Sequence, residues 1–311
     1  MRDGRQQRTA PYTGLCFVAV DSTIDYNDAG AVITLLKEAG AHCRGERYRC
    51  GSVVRLPAEG WLLATGDLHD NPFHLDKMLN AIRLDKSEDR HIYVHELIHG
   101  ERLINGMDFS YRMICRVAEL KCSRPNQFHP ILANHELSQM TGRGVSKGAG
   151  DSVALFRDAL DFVFGEEEAK AVDQAICEFI RSWPLAIVTE HGVLCAHSVP
   201  SEAAMKSFDT TILERDLDES DYEARTGSAY QMTWGRRHSA EHLDRLAEIF
   251  GVEVFCLGHE HAETGCQPVG KRGIVLNSDH ERGAVLPIDL SSTPLPSRDE
   301  LMWSMRQIAS L

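Results

Sequence analysis

The sequence predicts a mixed α/β fold of the α+β kind, and three observations carry that expectation. Short apolar runs of strand length recur along the chain, segments with 3.6-residue apolar periodicity lie between them, and the end of the chain is rich in strands. No internal repeat and no low-complexity linker divides the 311 residues, so they read as one domain, 1–311, with elaborations at its edges. In order, Leu15–Val20 is a first strand-like run, and Asn27–Ala39 reads as a helix opening on an Asn/Asp cap. Trp61–Thr65 and Ile92–His95 are strand-like, and Met107–Lys121 reads as a helix with Met113, Ile114, Val117 and Leu120 on one face. Pro130–Ala133 is again strand-like, followed by helices over Val153–Phe164 and Glu166–Ser182. Strands are expected at Leu185–Thr189, Val193–Ala196, Val252–Leu257, Gly273–Asn277 and Ala284–Leu290. Helices are expected at Ser239–Phe250 and near Arg298–Ser310.

Composition narrows the function. With 33 Lys+Arg against 46 Asp+Glu the formal charge is −13, which argues against nucleic-acid or anionic-membrane partners. No stretch approaches 18 consecutive apolar residues, and the basic N-terminus lacks a signal-peptide core, so neither a membrane span nor secretion is expected. The nine cysteines are odd in number, form no CxxC pair and sit partly in apolar runs, which points to a reducing, cytoplasmic setting. The 15 histidines are in clear excess, as metal or proton chemistry can require.

Five clusters give that excess an address. Trp61–Thr65 runs into Gly66-Asp67-Leu68-His69, and Ile92–Val94 into His95-Glu96-Leu97-Ile98-His99-Gly100. Ile131–Leu132 runs into Ala133-Asn134-His135-Glu136, Val193–Cys195 into Ala196-His197-Ser198, and Val254–Leu257 into Gly258-His259-Glu260-His261. Each offers the oxygen and imidazole ligands that hold first-row divalent metals, and each falls where a strand ends and chemistry is commonly placed.

GDLH, ANHE, AHS and GHEH in this order resemble the calcineurin-like metallophosphoesterase superfamily, whose pattern is GDxH, GDxxDR, GNHE, a lone His and GHxH. Met107–Glu136 and Trp183-Pro184-Leu185-Ala186 further resemble its phosphoprotein-phosphatase branch, and the likeness spans about residues 60–290. The resemblance implies a four-layer αββα sandwich, two mixed β-sheets flanked by helices, with two divalent metal ions (Mn, Fe, Zn or Co) between the sheets. It puts Asp67, His69 and His261 on the first metal, Asn134, His197 and His259 on the second, and Glu96 between them as the bridging carboxylate. It also implies hydrolysis of a phosphomonoester by attack of a metal-bridging hydroxide, with His135 protonating the leaving oxygen.

The second cluster departs from the pattern. His99 stands where an Asp normally orients the catalytic histidine, and Gly100 where an arginine contacts phosphate. Arg102, Arg236 and Arg237 are the arginines available instead. Expected substrates are a phosphorylated protein or a small phosphoester, with a dinucleoside-polyphosphate hydrolase as the alternative of the same fold.

Two other readings stay open. Residues 95–99 spell HExxH, two zinc-binding histidines and a general base of a metalloprotease if they lie on a helix. Against it, residues 91–94 look like a strand, two glycines follow, and GDLH, ANHE and GHEH would have no role. The missing Asp and Arg also fit a non-catalytic scaffold that binds phosphate without hydrolysis. Asp70, Asn71 and His74 are expected to cap a helix starting near Leu75, Asp279 and His280 to sit in a turn, and Trp234 to pack. The glycines from Gly142 to Gly150 read as a substrate-facing loop rather than a phosphate loop.

Overall fold

The computed structural model describes residues 24–144, 146–147 and 150–311. The run Leu15–Val20 lies outside the described residues. Helix α1 (Ala29–Arg44) is capped by Asp28, whose side chain accepts the Ala31 N–H, and buries Val32, Leu35, Leu36, Ala39 and Cys43 along one stripe. It outruns the expected end at Ala39 by more than a turn because Gly40 and Cys43 continue the buried stripe. Strands β1 (Arg49–Cys50) and β2 (Val53–Leu56) form a hairpin too short to show a period in sequence. Strand β3 (Trp61–Thr65) leads through the first cluster to α2 (Pro72–Ile82), where Pro72 opens the helix and the Asn71 side chain accepts the His74 N–H.

Strand β4 (Arg90–Val94), helix α3 (Tyr111–Ser123), strand β5 (Phe128–Pro130) and helix α4 (Asn134–Thr141) follow. Helix α3 starts later than Met107 because Ile104 and Met107 pair across a tight turn and Asp108 accepts the Ser110 N–H. The short pair β6 (Ser146–Lys147) and β7 (Gly150–Asp151) precedes α5 (Ser152–Phe164), capped by Asp151, and α6 (Glu166–Ile180). Next come β8 (Ala186–Thr189), β9 (Val193–Ala196), α7 (Ser228–Trp234), α8 (Ala240–Phe250) and β10 (Val254–Leu257). The chain closes with β11 (Cys266–Val269), β12 (Gly273–Leu276), β13 (Ala284–Asp289), α9 (Arg298–Trp303) and β14 (Arg306–Gln307). The expected terminal helix thus stops at Trp303; Arg306 and Gln307 instead extend the sheet by pairing with Val285 and Ala284.

Among the described residues the strands build a seven-stranded sheet, β1-β2-β8-β9-β10-β12-β11, and a five-stranded sheet, β14-β13-β3-β4-β5. Both are mixed. Alternation along each strand sorts the side chains between two layers of core. Leu62 and Ala64 of β3 meet Val193, Cys195, Val254, Cys256, Ile274 and Leu276 between the sheets, while Leu63, Ile92 and Val94 face the helices. Burial on both faces explains why these strands read as continuous apolar runs. The αββα layering expected from the resemblance is the observed one.

Candidate metal centre

The strands that carry the clusters run parallel within each sheet: β3, β4 and β5 in one, β9, β10 and β12 in the other. Their C-terminal ends therefore meet at one edge of the sandwich, where strand-end loops converge. Gly66 makes the closest crossing possible. A Cβ there would sit 2.2 Å from the Leu276 carbonyl oxygen, so only glycine lets the exit of β3 pass β12. Ser278 Oγ accepts the Gly66 N–H, and Asp67 bridges to Asn277 across the two sheets.

One group of ligands gathers on His197 Nε2. Asn134 Oδ1 is 2.6 Å from it, Glu96 Oε2 2.9 Å and His259 Nδ1 3.0 Å. A single ring N–H cannot serve three such neighbours, whereas four N and O donors around one point suit a divalent ion. Among the described residues, buried Glu96 Oε2 has no hydrogen-bond donor beyond that shared ring nitrogen, as a ligand awaiting a cation would. A second group forms on the other oxygen of the same carboxylate. Glu96 Oε1 lies 2.8 Å from His69 Nε2 and 3.4 Å from His135 Nε2. Glu96 thus touches histidines of both sheets, the placement expected of a bridging ligand.

Electrostatics agree with a cation site. Asp67 and Glu96 are buried. Burial and the neighbouring Glu96 push the Asp67 carboxyl up to about 7, a cost that a bound cation would remove. Burial also works against the Glu96 carboxylate and the His69 imidazolium, yet His135, His197 and His69 hold Glu96 ionised, and Glu96 and Asp279 raise His69 to about 10. Burial and His197 hold His259 down to about 2, so its lone pair is kept for a ligand. The donor set fits first-row divalent ions.

The loops that present these groups are bent hard. His69, Asp70, Glu96, His99 and His259 all have positive φ, between 43° and 66°, a region costly for residues with a Cβ. Backbone bonds hold the bends in place. The Glu96 carbonyl accepts the N–H groups of Leu68 and His69, Leu97 C=O accepts that of Asp70, and Asp67 accepts the His259 N–H at 2.9 Å. The buried Glu136 carboxylate accepts the Leu97 N–H at 2.6 Å.

Most of the expected residues are brought together, with instructive exceptions. His261 is not among them: it is exposed, and its ring sits 5.3 Å from that of His280. The turn after His259 carries the second histidine of GHEH outward. Asp67 is gathered with His95 and His197, 3.5 and 3.6 Å from its Oδ1, rather than with His69 alone. Arg236 reaches the centre, its guanidinium 3.4 Å from His259 Nδ1. Arg237 does not; it is exposed, and its N–H is tied to Glu260. Arg102 is exposed and acts on Asp70.

His99 does not approach His135 as the expected Asp would. Its Nδ1 lies 2.8 Å from Asp108 Oδ2, its ring 5.6 Å from that of His135, and His135 Nδ1 is instead 3.2 Å from the Ile98 carbonyl. The lost carboxylate is therefore present one step further back, as Asp108. Residues 95–99 are not helical, and the two rings diverge, His95 toward Thr65 and His197 and His99 toward Asp108. That geometry removes the HExxH reading.

Asp279, expected only in a turn, has its Oδ2 2.6 Å from His69 Nδ1 and so orients that ring. Nothing in an Asn-Ser-Asp-His turn distinguishes it from ordinary turn chemistry. Trp234 packs as expected, stacked on Tyr230 with its edge toward His259.

Comparison with known proteins agrees with this geometry. The calcineurin-like phosphoesterase family model matches residues 60–263. No curated protein sequence matches the chain. Among solved structures, a serine/threonine phosphatase of Saccharomyces cerevisiae with similarity to human PP5 is 17% identical, with a TM-score of 0.62 over 84% of this chain and 82% of that one. A cold-active protein-tyrosine phosphatase of a psychrophilic Shewanella species is 13% identical, with a TM-score of 0.54 over 82% of each chain. The chain belongs to the calcineurin-like phosphoesterase family and is a metal-dependent phosphoesterase.

Proposed function

We propose that the chain is a phosphoprotein phosphatase of the serine/threonine type, hydrolysing phosphomonoesters at a two-ion centre bridged by Glu96. The observation that carries the reading is the double contact of Glu96, with His69 through Oε1 and with His197 through Oε2. Glu96, Asn134, His197 and His259 would hold one ion; Glu96 and His69, with the adjoining Asp67, the other. Divalent cations there supply activation of water and neutralisation of phosphate charge.

The chain's own residues do the rest. His135 reaches the centre from the first turn of α4, with Nδ1 fixed by the Ile98 carbonyl. With its Nδ1–H given to that carbonyl, the ring in its cationic form carries on Nε2 the proton it can give to the leaving oxygen. Arg236, beside His259, provides the fork for phosphate oxygens that position 100 lacks. His99 is held by Asp108, 2.8 Å from its Nδ1, with its ring 5.6 Å from that of His135.

Both structural neighbours are protein phosphatases by name, which supports a protein substrate; they differ in whether serine/threonine or tyrosine is the target. The test is a parallel assay of the manganese-loaded chain on phosphoserine, phosphothreonine and phosphotyrosine peptides and on a dinucleoside tetraphosphate. Turnover highest on phosphoserine or phosphothreonine supports the proposal. Turnover confined to phosphotyrosine or to the nucleotide overturns it, and metal-loaded protein inert on every substrate would mark a binding scaffold.

A further inference from the structure

We infer that His95 is a positioning residue that fixes the tautomer of His197 and so aims the His197 Nε2 lone pair at the metal centre. The inference rests on His197 being a ligand, as proposed above. His95 stands where the family pattern GDxxDR has its glycine, so a full imidazole occupies space that the pattern leaves empty. It is completely buried.

The hydrogen-bond arithmetic leaves one arrangement. His95 Nε2 is 3.1 Å from the Thr65 carbonyl oxygen, which only accepts, so Nε2 carries the ring proton. The Nδ1 of a neutral ring then holds a lone pair. That Nδ1 is 3.0 Å from His197 Nδ1, which must therefore donate. With its proton on Nδ1, His197 keeps a lone pair on Nε2, the atom against Asn134, Glu96 and His259. The relay runs from the end of β3, through His95, to the exit of β9, and so couples a ligand of one sheet to the backbone of the other. Asp67 Oδ1, 3.5 and 3.6 Å from the two Nδ1 atoms, does not choose between them; the Thr65 carbonyl does.

The ring is held to this task. Tyr93 stacks on it at 5.7 Å and 13°, and Gly258 packs against its edge: a Cβ on Gly258 would lie 2.5 Å from His95 Cε1. A third cation shared by Asp67, His95 and His197 would use the same atoms, but it would require His197 stripped of protons on both nitrogens.

Long-range 1H–15N spectra of the zinc-loaded full chain, labelled on histidine, test the inference without reference to activity. The expected spectrum has His197 protonated at Nδ1 and zinc-shifted at Nε2. His95→Leu should weaken the zinc bound through His197 by about 10–100-fold, the usual loss for a partner that orients a ligand. His95→Asn, whose amide oxygen falls near the place of Nδ1, should restore most of it. An unprotonated His197 Nδ1 in the wild-type chain overturns the inference, even if His95→Leu does not fold. So does His95→Leu with unchanged tautomer and zinc affinity, or a third zinc per chain that this variant loses. Wild-type protein that takes up no zinc yet keeps the Nδ1 proton would instead show that the metal reading has failed.

Discussion

At the scale of single residues, the chain replaces a carboxylate with a relay. The expected Asp beside His135 is His99, and a carboxylate stands one hydrogen bond further back, in Asp108, 2.8 Å from His99 Nδ1. Restoring the family residue alone should therefore fail. His99→Asp would set two buried carboxylates against each other, and loss of the buried partner costs on the order of 3 kcal/mol. The expected result is a lower melting temperature with no gain in rate; the double variant His99→Asp/Asp108→Asn should recover stability, as thermal unfolding would show. His135→Asn should lower kcat by about 10²–10⁴ with metal content unchanged, because the ring lends a proton and holds no ion in this account. A matching loss of metal, measured by elemental analysis, would make His135 a ligand instead.

At the scale of elements, a buried ion network ties α1 to α3 and β5. Glu46, just past α1, lies 2.6 Å from Lys121 Nζ of α3 and 2.7 Å from His129 Nδ1 of β5. Burial alone would push the Glu46 carboxyl up, but His129 and Lys121 hold it down to about 2, below its ordinary 4.5. A depressed carboxyl stabilises the fold above its unfolded value and loses that contribution as pH falls. Denaturation free energy should therefore drop between pH 4.5 and about 2. Glu46→Gln should flatten that drop and cost about 3 kcal/mol at neutral pH, by leaving Lys121 unpaired.

The elements legible in sequence are those with a long period or a full apolar run, such as α5, β9 and β10. Not legible are β1, two residues long, β2 and β11, whose apolar runs are broken by exposed Arg55 and by Gln267 and Pro268, and the ends of α3 and α9, which are set by tertiary pairing of Met107 and of Arg306. The gathering of Asp67, His69, Glu96, Asn134, His135, His197 and His259 is legible because each sits where a strand ends. Asp279 and the burial of His95 are not, since their partners lie across the fold, 210 and 102 residues away, and Asp108 is not, because only the turn that pairs Ile104 with Met107 brings it back to His99. His261 is exposed beside His280, and a motif states spacing, not which way a turn points.

At the scale of the whole molecule, two sheets present the C-terminal ends of their parallel strands to one edge, and no charge pair of a single sheet completes the centre. Asp67, His69, Glu96 and Asn134 come from the five-stranded sheet, His197 and His259 from the seven-stranded one. A bound ion is then a clamp between the halves of the sandwich as well as a catalyst, so chelation should lower the melting temperature as well as the rate. An overall charge of −13 makes the same point, since an acidic chain can hold phosphate only through its ions and a few arginines such as Arg236.

The most direct measurement is p-nitrophenyl phosphate turnover and bound metal, followed together in the wild-type chain and in Glu96→Gln, before chelation, after it, and after manganese is returned. Wild-type turnover should disappear with the metal and return with it, while Glu96→Gln, isosteric but uncharged, should neither hold the full complement nor recover the rate. Turnover that survives complete removal of metal, or a Glu96→Gln chain with full metal and full rate, would contradict this expectation.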